Sequence, residues 1–459
     1  MTGTTRDQAD RAGRTGPGGE RERGRHRRGL AARAVAVALA GAGLVGALAP
    51  VAGAQGAAPT TTRSPAGDGA AAGAAAERVD RTALDAAVRG LVSPGGASAT
   101  LGLVGERGRP VWKGAAGTAD LATGAPADAD GRFRIGSVTK TFVATVVLQL
   151  VAEHRIGLDD PVESRLPGVV PNGGEITVRQ LLGHTSGLFN YTEDPSFAFE
   201  EDSAALQQWL DTGRWHPYAP QELVDIATKH PVYFQPGQGW HYSNTNYIVV
   251  GMLIERITGR SWADEVQRRI VRPLGLTGTS MPLNSPFVPG PHAHGYYKLA
   301  TGPADVTLLD PSMAGAAGAG ISTTADLARF VSALLGGRLL GPAQLAEMKR
   351  TSPQSGPAEY GLGLQRTPTA CGEYWGHGGG IPGYSTLMYG RTDGRRQFTA
   401  SLNPYDMSDL PATNTAYENL VAAGLCDIRP PAVAPSSAAA GPAAAPPAIG
   451  AFATTGPVR

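Results

Sequence analysis

Apolar and polar positions follow two rhythms along the middle of the chain. Residues 97–105 and 110–117 are apolar runs around Glu106-Arg107-Gly108 and read as a hairpin. Residues 384–389 and 397–402 flank Arg391-Thr392-Asp393-Gly394 and read as a second. Between them the apolar spacing lengthens to three and four residues. That predicts helices over 139–154, 221–229, 243–258, 262–270, 324–335 and 342–349, with a last amphipathic stretch over 411–425. Strands at both ends must pair with something. The economical solution is an α/β, two-lobed fold: one antiparallel sheet built from both ends, flanked by helices, with a mainly helical lobe inserted. The sheet lobe is expected at about 77–165 and 310–428, and the helical lobe at about 166–309.

The ends of the chain lack both rhythms. Residues 21–33 are basic, residues 34–49 carry no charge, and Ala52-Gly53-Ala54 follows. This is the layout of a signal peptide over 1–54, too short in its apolar run for an ordinary membrane span, and it predicts a secreted protein. Arg27-Arg28 is a weak hint of the twin-arginine route. Residues 55–76 and the Pro/Ala-rich 429–459 are expected to be disordered, because they lack the side chains that offset ordering entropy. The folded body is then 77–428, and apolar residues at 42% of the 459-residue chain suffice for its core. The first 33 residues carry nine arginines and four acids, which leaves a slightly acidic body. Nothing in that balance favours nucleic acid as a partner.

Three short constellations carry candidate chemistry. Ser137-Val138-Thr139-Lys140 places a hydroxyl at a predicted helix start with a lysine one turn on. Of 40 basic residues only five are lysines, and unlike arginine a lysine can release its proton. A capping serine beside a solvated lysine remains the bland alternative. Tyr242-Ser243-Asn244 opens another predicted helix, where a phenol can share a proton with an ammonium. Tyr417-Glu418-Asn419 repeats the pattern inside the last amphipathic stretch, where packing explains it. His377-Gly378-Gly379-Gly380 precedes a strand; its glycines allow close approach of a backbone or ligand, or make a flexible turn. No G-x-S-x-G and no H-E-x-x-H is present, Gly183-His184-Thr185-Ser186-Gly187 being off register by one, and His292-Ala293-His294 reads as a solvated loop. No metal or cofactor is expected.

Taken in this order, the three motifs resemble the penicillin-recognising serine hydrolases, which include class C β-lactamases, DD-peptidases and related esterases. Residues 133–142, 176–188, 242–259, 320–323 and 360–364 also match, as do Cys371 and Cys426. The resemblance is strongest to secreted serine D-alanyl-D-alanine carboxypeptidases. It implies Ser137 as acylated nucleophile, Lys140 and Tyr242 as proton-transfer pair, and an oxyanion hole from the N–H groups of Ser137 and Gly380. Asn244 and Gly378, Gly379 and Gly380 would hold the substrate. His377 would help polarise Tyr242. Neutralising Lys140 at pH 7 costs about 4–5 kcal/mol, so a charged lysine holding Tyr242 as a phenolate or strong acceptor is the expected state, and which of the two takes the serine proton is left open. An exported chain with two cysteines also favours a Cys371–Cys426 disulfide.

The implied substrates are peptidoglycan stem peptides or related D-amino-acid compounds, β-lactams are implied as inhibitors or substrates, and a monomer is expected. Departures concern the substrate. Relatives grip a terminal carboxylate with hydroxyls where this chain has Gly378 and Gly380, and with an arginine where it has Gln365, beside Arg366. Met313 stands where relatives place an aromatic. The alternatives are an esterase or D-aminopeptidase, a class C-like β-lactamase, and an inactive penicillin-binding protein.

Overall fold

The computed structural model describes residues 79–426, apart from 198, 200 and 201. The expected signal peptide and both expected disordered ends lie outside the described residues. Helix α1 (Arg81–Val92) leads into β1 (Ala97–Glu106), β2 (Arg109–Asp120) and the short β3 (Ala125–Pro126) and β4 (Phe133–Arg134). Then come α2 (Thr139–Ala152), α3 (Val178–Leu182), α4 (Ala204–Asp211), α5 (Pro220–Thr228), α6 (Asn244–Thr258), α7 (Trp262–Val266) and α8 (Arg272–Leu274). A small hairpin, β5 (Tyr296–Leu299) and β6 (Gly302–Asp305), precedes α9 (Gly315–Gly318) and β7 (Ile321–Ser322). The chain closes with α10 (Thr324–Leu335), α11 (Pro342–Lys349), β8 (Gln365–Thr369), β9 (Gly372–Ile381), β10 (Tyr384–Arg391), β11 (Arg396–Pro404) and α12 (Leu410–Cys426).

The main sheet has seven strands in the order β3-β2-β1-β11-β10-β9-β8, all antiparallel. The two ends of the chain meet where β1 pairs with β11, Leu101 opposite Ser401 and Val104 opposite Phe398. The expected sheet from both ends is therefore present. Helices α1 and α12 cover one face, burying Leu84, Val88 and Leu420 with Phe398 and Trp112. On the other face α10 packs Phe330 and Val331 with the core of α2. Central strands buried on both faces read as unbroken apolar runs, which is the pattern of β1.

Helix α2 is the centre of the molecule. From Thr139 to Leu148 every residue is buried, because sheet, α6, α7 and α9 surround it. A lysine placed there is sealed from water. Strand β9 corrects the reading of the glycines as a flexible turn before a strand: 372–381 is the strand, glycines included. They are needed because the backbone presses close on both sides. A Cβ on Gly376 would sit 1.9 Å from the Met388 carbonyl oxygen, and one on Gly379 would sit 2.0 Å from that of Ile135.

Candidate active site

The turn before α2 carries Ser137. Gly136 takes φ +48°, a left-handed value open to glycine, and a Cβ there would lie 2.7–2.8 Å from the backbone of Gly380. Thr139 Oγ1 donates to the Gly136 carbonyl at 2.7 Å and accepts from the Gly320 N–H at 3.0 Å. The close approach to Gly380 sets the Ser137 turn against β9, and the Thr139 bonds tie it to Gly320, ahead of β7.

Lys140 Nζ lies 2.7 Å from Asn244 Oδ1, 2.7 Å from the Ala317 carbonyl oxygen and 2.9 Å from Ser137 Oγ. The first two can only accept, so they take two N–H bonds. The remaining tetrahedral position faces the serine. A charged lysine would fill it with a third N–H, and a neutral amine would present its lone pair. None of these three partners is a carboxylate, and burial pushes the ammonium well below its ordinary pKa. Burial thus works against the charged Lys140 expected from the sequence and toward the free amine.

Asn244 is fixed from outside its own helix. The first residue of α6 receives no side-chain cap from Ser243; Asn190 Oδ1 accepts its N–H at 3.0 Å instead. Its Nδ2 reaches Thr192 Oγ1 at 3.2 Å, which turns Oδ1 toward Lys140.

The Tyr242 ring lies 4.9 Å from Lys140 Nζ. Its hydroxyl is buried without a well-aligned hydrogen bond; burial raises its pKa, and the neighbouring Ser137 hydroxyl opposes that only in part. Burial thus favours the neutral phenol over the phenolate form of the expectation.

His377 sits in β9. Its Nδ1–H donates to the Gly378 carbonyl, and its Nε2 accepts from Tyr360 Oη at 2.8 Å. Burial drops its pKa to about 3, so the ring is neutral. Both nitrogens are committed, and its ring centroid is 6.3 Å from that of Tyr242. The imidazole therefore braces Tyr360 and the Gly378 peptide and does not polarise Tyr242 through a hydrogen bond.

A cavity of about 200 Å³, open to solvent, joins these parts. Ser137, Asn244 and Gly380 line one side, Tyr191 and Thr192 another, and Ala314, Ala317 and Gly318 the third. Pairing of β8 with β9 stops at Gln365 opposite Gly376, so β8 leaves the Gly378–Gly380 edge uncovered. Arg366 gives no grip on a carboxylate there, since Glu359 and Glu373 hold it at 2.8 and 2.6 Å. Met313 is buried, its carbonyl accepting from Tyr191 Oη. One residue past Thr192, the part-exposed Glu193 carboxylate accepts from Asn190 Nδ2 at 3.1 Å and Tyr233 Oη at 2.6 Å. His294 makes a 2.7 Å hydrogen bond to Asp305, and among the described residues no cluster of three His, Cys, Asp or Glu could hold a metal. Cys371 and Cys426 are bonded, tying the β8–β9 turn to the end of α12.

Sequence reasoning thus named the residues that surround Ser137 and missed Asn190, Thr192, Glu193, Ala317 and the backing tyrosine Tyr360. Ala317 acts through a carbonyl, which leaves no signal in residue type. Tyr360 lay inside a matching stretch, but nothing local distinguishes its hydroxyl.

The arrangement can activate a serine hydroxyl, and its likeness to known proteins agrees. A solved D-stereospecific amidohydrolase from Streptomyces sp. is 40% identical with a TM-score of 0.67; the match covers 76% of this chain and 99% of that one. A D-amino acid amidase from Ochrobactrum anthropi SV3 is 28% identical with a TM-score of 0.64, over 74% of this chain and 98% of that one. Penicillin-binding protein 4* of Bacillus subtilis (strain 168) is 29% identical over 314 residues, 64% of this chain and 65% of that protein's length. Esterase EstB of Burkholderia gladioli is 29% identical over 357 residues, 69% of this chain and 86% of the esterase. The family model described as Beta-lactamase matches residues 84–439, and the chain belongs to that family of serine hydrolases.

Proposed function

We propose that this is an exported serine hydrolase that forms an acyl-Ser137 intermediate from amides of D-configured amino acids. The observation that carries it is the Lys140 environment: two fixed acceptors and a third position aimed at Ser137 Oγ. Lys140 takes the Oγ proton as the oxygen attacks the carbonyl, and the N–H groups of Ser137 and Gly380 receive the developing oxyanion. Such donors contribute about 3–4 kcal/mol each in comparable enzymes. The Tyr242 hydroxyl passes the proton to the leaving amine, whose C–N bond breaks. Water then attacks the acyl-serine by the reverse relay. Export is supported by the residue pattern of 1–54 and by the Cys371–Cys426 bond.

The choice of amide over peptide acid rests on charge. Among the described residues no free cation lines the cavity, Arg366 is committed to two carboxylates, and Glu193 follows the lining residue Thr192 in the chain. That suits a substrate with a free ammonium and no carboxylate. The amidohydrolase and amidase likenesses support the same reading. A D-alanyl-D-alanine carboxypeptidase, acylated by β-lactams, is the second reading. The edge of β9 left open by β8, able to pair with an extended peptide, and the penicillin-binding relative favour it. The test is a panel of D- and L-amino acid amides, N-acetylated D-amides, D-Ala-D-Ala peptide and nitrocefin. The expected order puts free D-amides first, with KM raised about tenfold or more by acetylation, since a charge-assisted hydrogen bond contributes about 1.5–3 kcal/mol. Faster release of D-Ala from the peptide would install the second reading.

A further inference from the structure

We infer that His184 is a positioning residue for Tyr242, an inference resting on the reading that Tyr242 relays the proton to the leaving amine. His184 is buried in the loop after α3 and brackets the tyrosine on three sides. Its carbonyl accepts the N–H of His241 at 3.1 Å, and its Nδ1 accepts the N–H of Ser243 at 3.2 Å. The N–H groups of the residues on both sides of Tyr242, His241 and Ser243, are thus held by one residue. Its ring lies against the Tyr242 ring, centroids 4.2 Å apart and planes 35° apart.

The histidine carries two costs that a packing residue would avoid. It takes φ +61°, left-handed backbone that non-glycine residues enter at a penalty. Its Nε2 is buried without a hydrogen-bond partner. Because Nδ1 accepts, the proton must sit on Nε2, which fixes the neutral tautomer. A second donor, Asn246 Nδ2, lies 3.2 Å from the same Nδ1, and Asn246 Oδ1 accepts from Ser186 Oγ at 2.6 Å. The side chains of Ser186 and Asn246 therefore hold the imidazole that holds the tyrosine. Protonation of Nδ1 would set it against two donors, and burial holds the ring's pKa well below its ordinary value. The serine of the Gly183–Gly187 loop, off register for a nucleophile, has a place in this bracing.

The test separates a positioning role from a structural one by leaving group. An amine needs the proton that Tyr242 delivers, and p-nitrophenolate does not. His184→Gly and His184→Asn both tolerate left-handed backbone, but only Asn offers an oxygen at the position of Nδ1. Each variant, with Tyr242→Phe beside them, is assayed on a D-amino acid amide and by the pre-steady-state burst with p-nitrophenyl acetate. The burst amplitude counts active sites. We expect His184→Gly to lose about 10²-fold in amide kcat per active site, the effect of roughly an ångström of misplacement, with KM and burst rate within a few-fold. His184→Asn is expected to recover at least tenfold of that loss. Equal losses on amide and ester, or no advantage of Asn over Gly, would overturn the inference while leaving the relay intact. If Tyr242→Phe itself hydrolyses the amide normally, the relay reading falls and the inference with it.

Discussion

An ammonium shut away from water, with three neutral hydrogen-bond partners and no carboxylate among them, is disfavoured against the amine, which lowers the Lys140 pKa. The acid limb of kcat/KM then belongs to Lys140 and lies well below the ordinary lysine value of 10.5. Activity falls as pH drops through that pKa, because the protonated base cannot accept from Ser137. Lys140→Arg, which stays charged, is expected to lower acylation by about 10²–10⁴-fold and to erase the limb. A limb at the same pH in the arginine variant would count against the assignment. His377 makes the opposite test, on stability. Its folded pKa of about 3 lies below the ordinary 6.5, so between those values the unfolded chain binds more protons. Its contribution is complete above about pH 6.5 and is lost as pH falls toward 3. Melting temperature should therefore drop across that window, less steeply in His377→Gln. This residue also marks a limit of reading from sequence. A histidine beside Tyr242 in the motif order suggests direct contact, but both of its nitrogens are used by Tyr360 and Gly378.

At the scale of elements, the decisive contact is β9 against the turn that carries Ser137. Gly379→Ala would put a Cβ 2.0 Å from the Ile135 carbonyl oxygen, so strand and turn must part. Since Ser137 and Gly380 line the cavity together, kcat should fall about 10²–10³-fold with the fold retained, as for loss of one oxyanion donor. Circular dichroism unchanged beside normal kcat would contradict this. The same strand shows why sequence reading failed locally. Five glycines between 372 and 380 argue against a strand by propensity, and tertiary pairing with β10 overrides them. Helix α1 was missed for another reason. Leu84, Val88 and Leu91 have helical spacing and Asp80 caps the first turn, but an alanine-rich stretch runs into it and blurs the start. Helices α10 and α11 were legible to the residue, because the apolar stripe of α10 starts just after its cap Thr323 and α11 opens on Pro342, a residue that suits a first helical turn.

Across the whole molecule, the sheet closes the chain on itself through β1 and β11, and the Cys371–Cys426 bond fastens the last helix to that sheet. The bond is far from Ser137 in role, so replacing both cysteines with serine should cost about 2–4 kcal/mol in denaturant unfolding and leave amide turnover per folded molecule unchanged. A loss of turnover at full folding would mean that the β8–β9 turn governs the site. The general architecture was open to sequence reading because hydrophobic rhythm encodes which segments pair and pack. The substrate was not, because the cavity lining, with no free cation among the described residues, comes together from distant segments only after folding. The central claim is that one hydroxyl, among 459 residues, becomes covalently acylated. Intact-mass measurement after exposure to a fluorescent penicillin, on the wild-type chain and on Ser137→Ala, tests it most directly. The account predicts a single adduct on the wild type and none on the alanine variant; an adduct of equal yield on Ser137→Ala would contradict it.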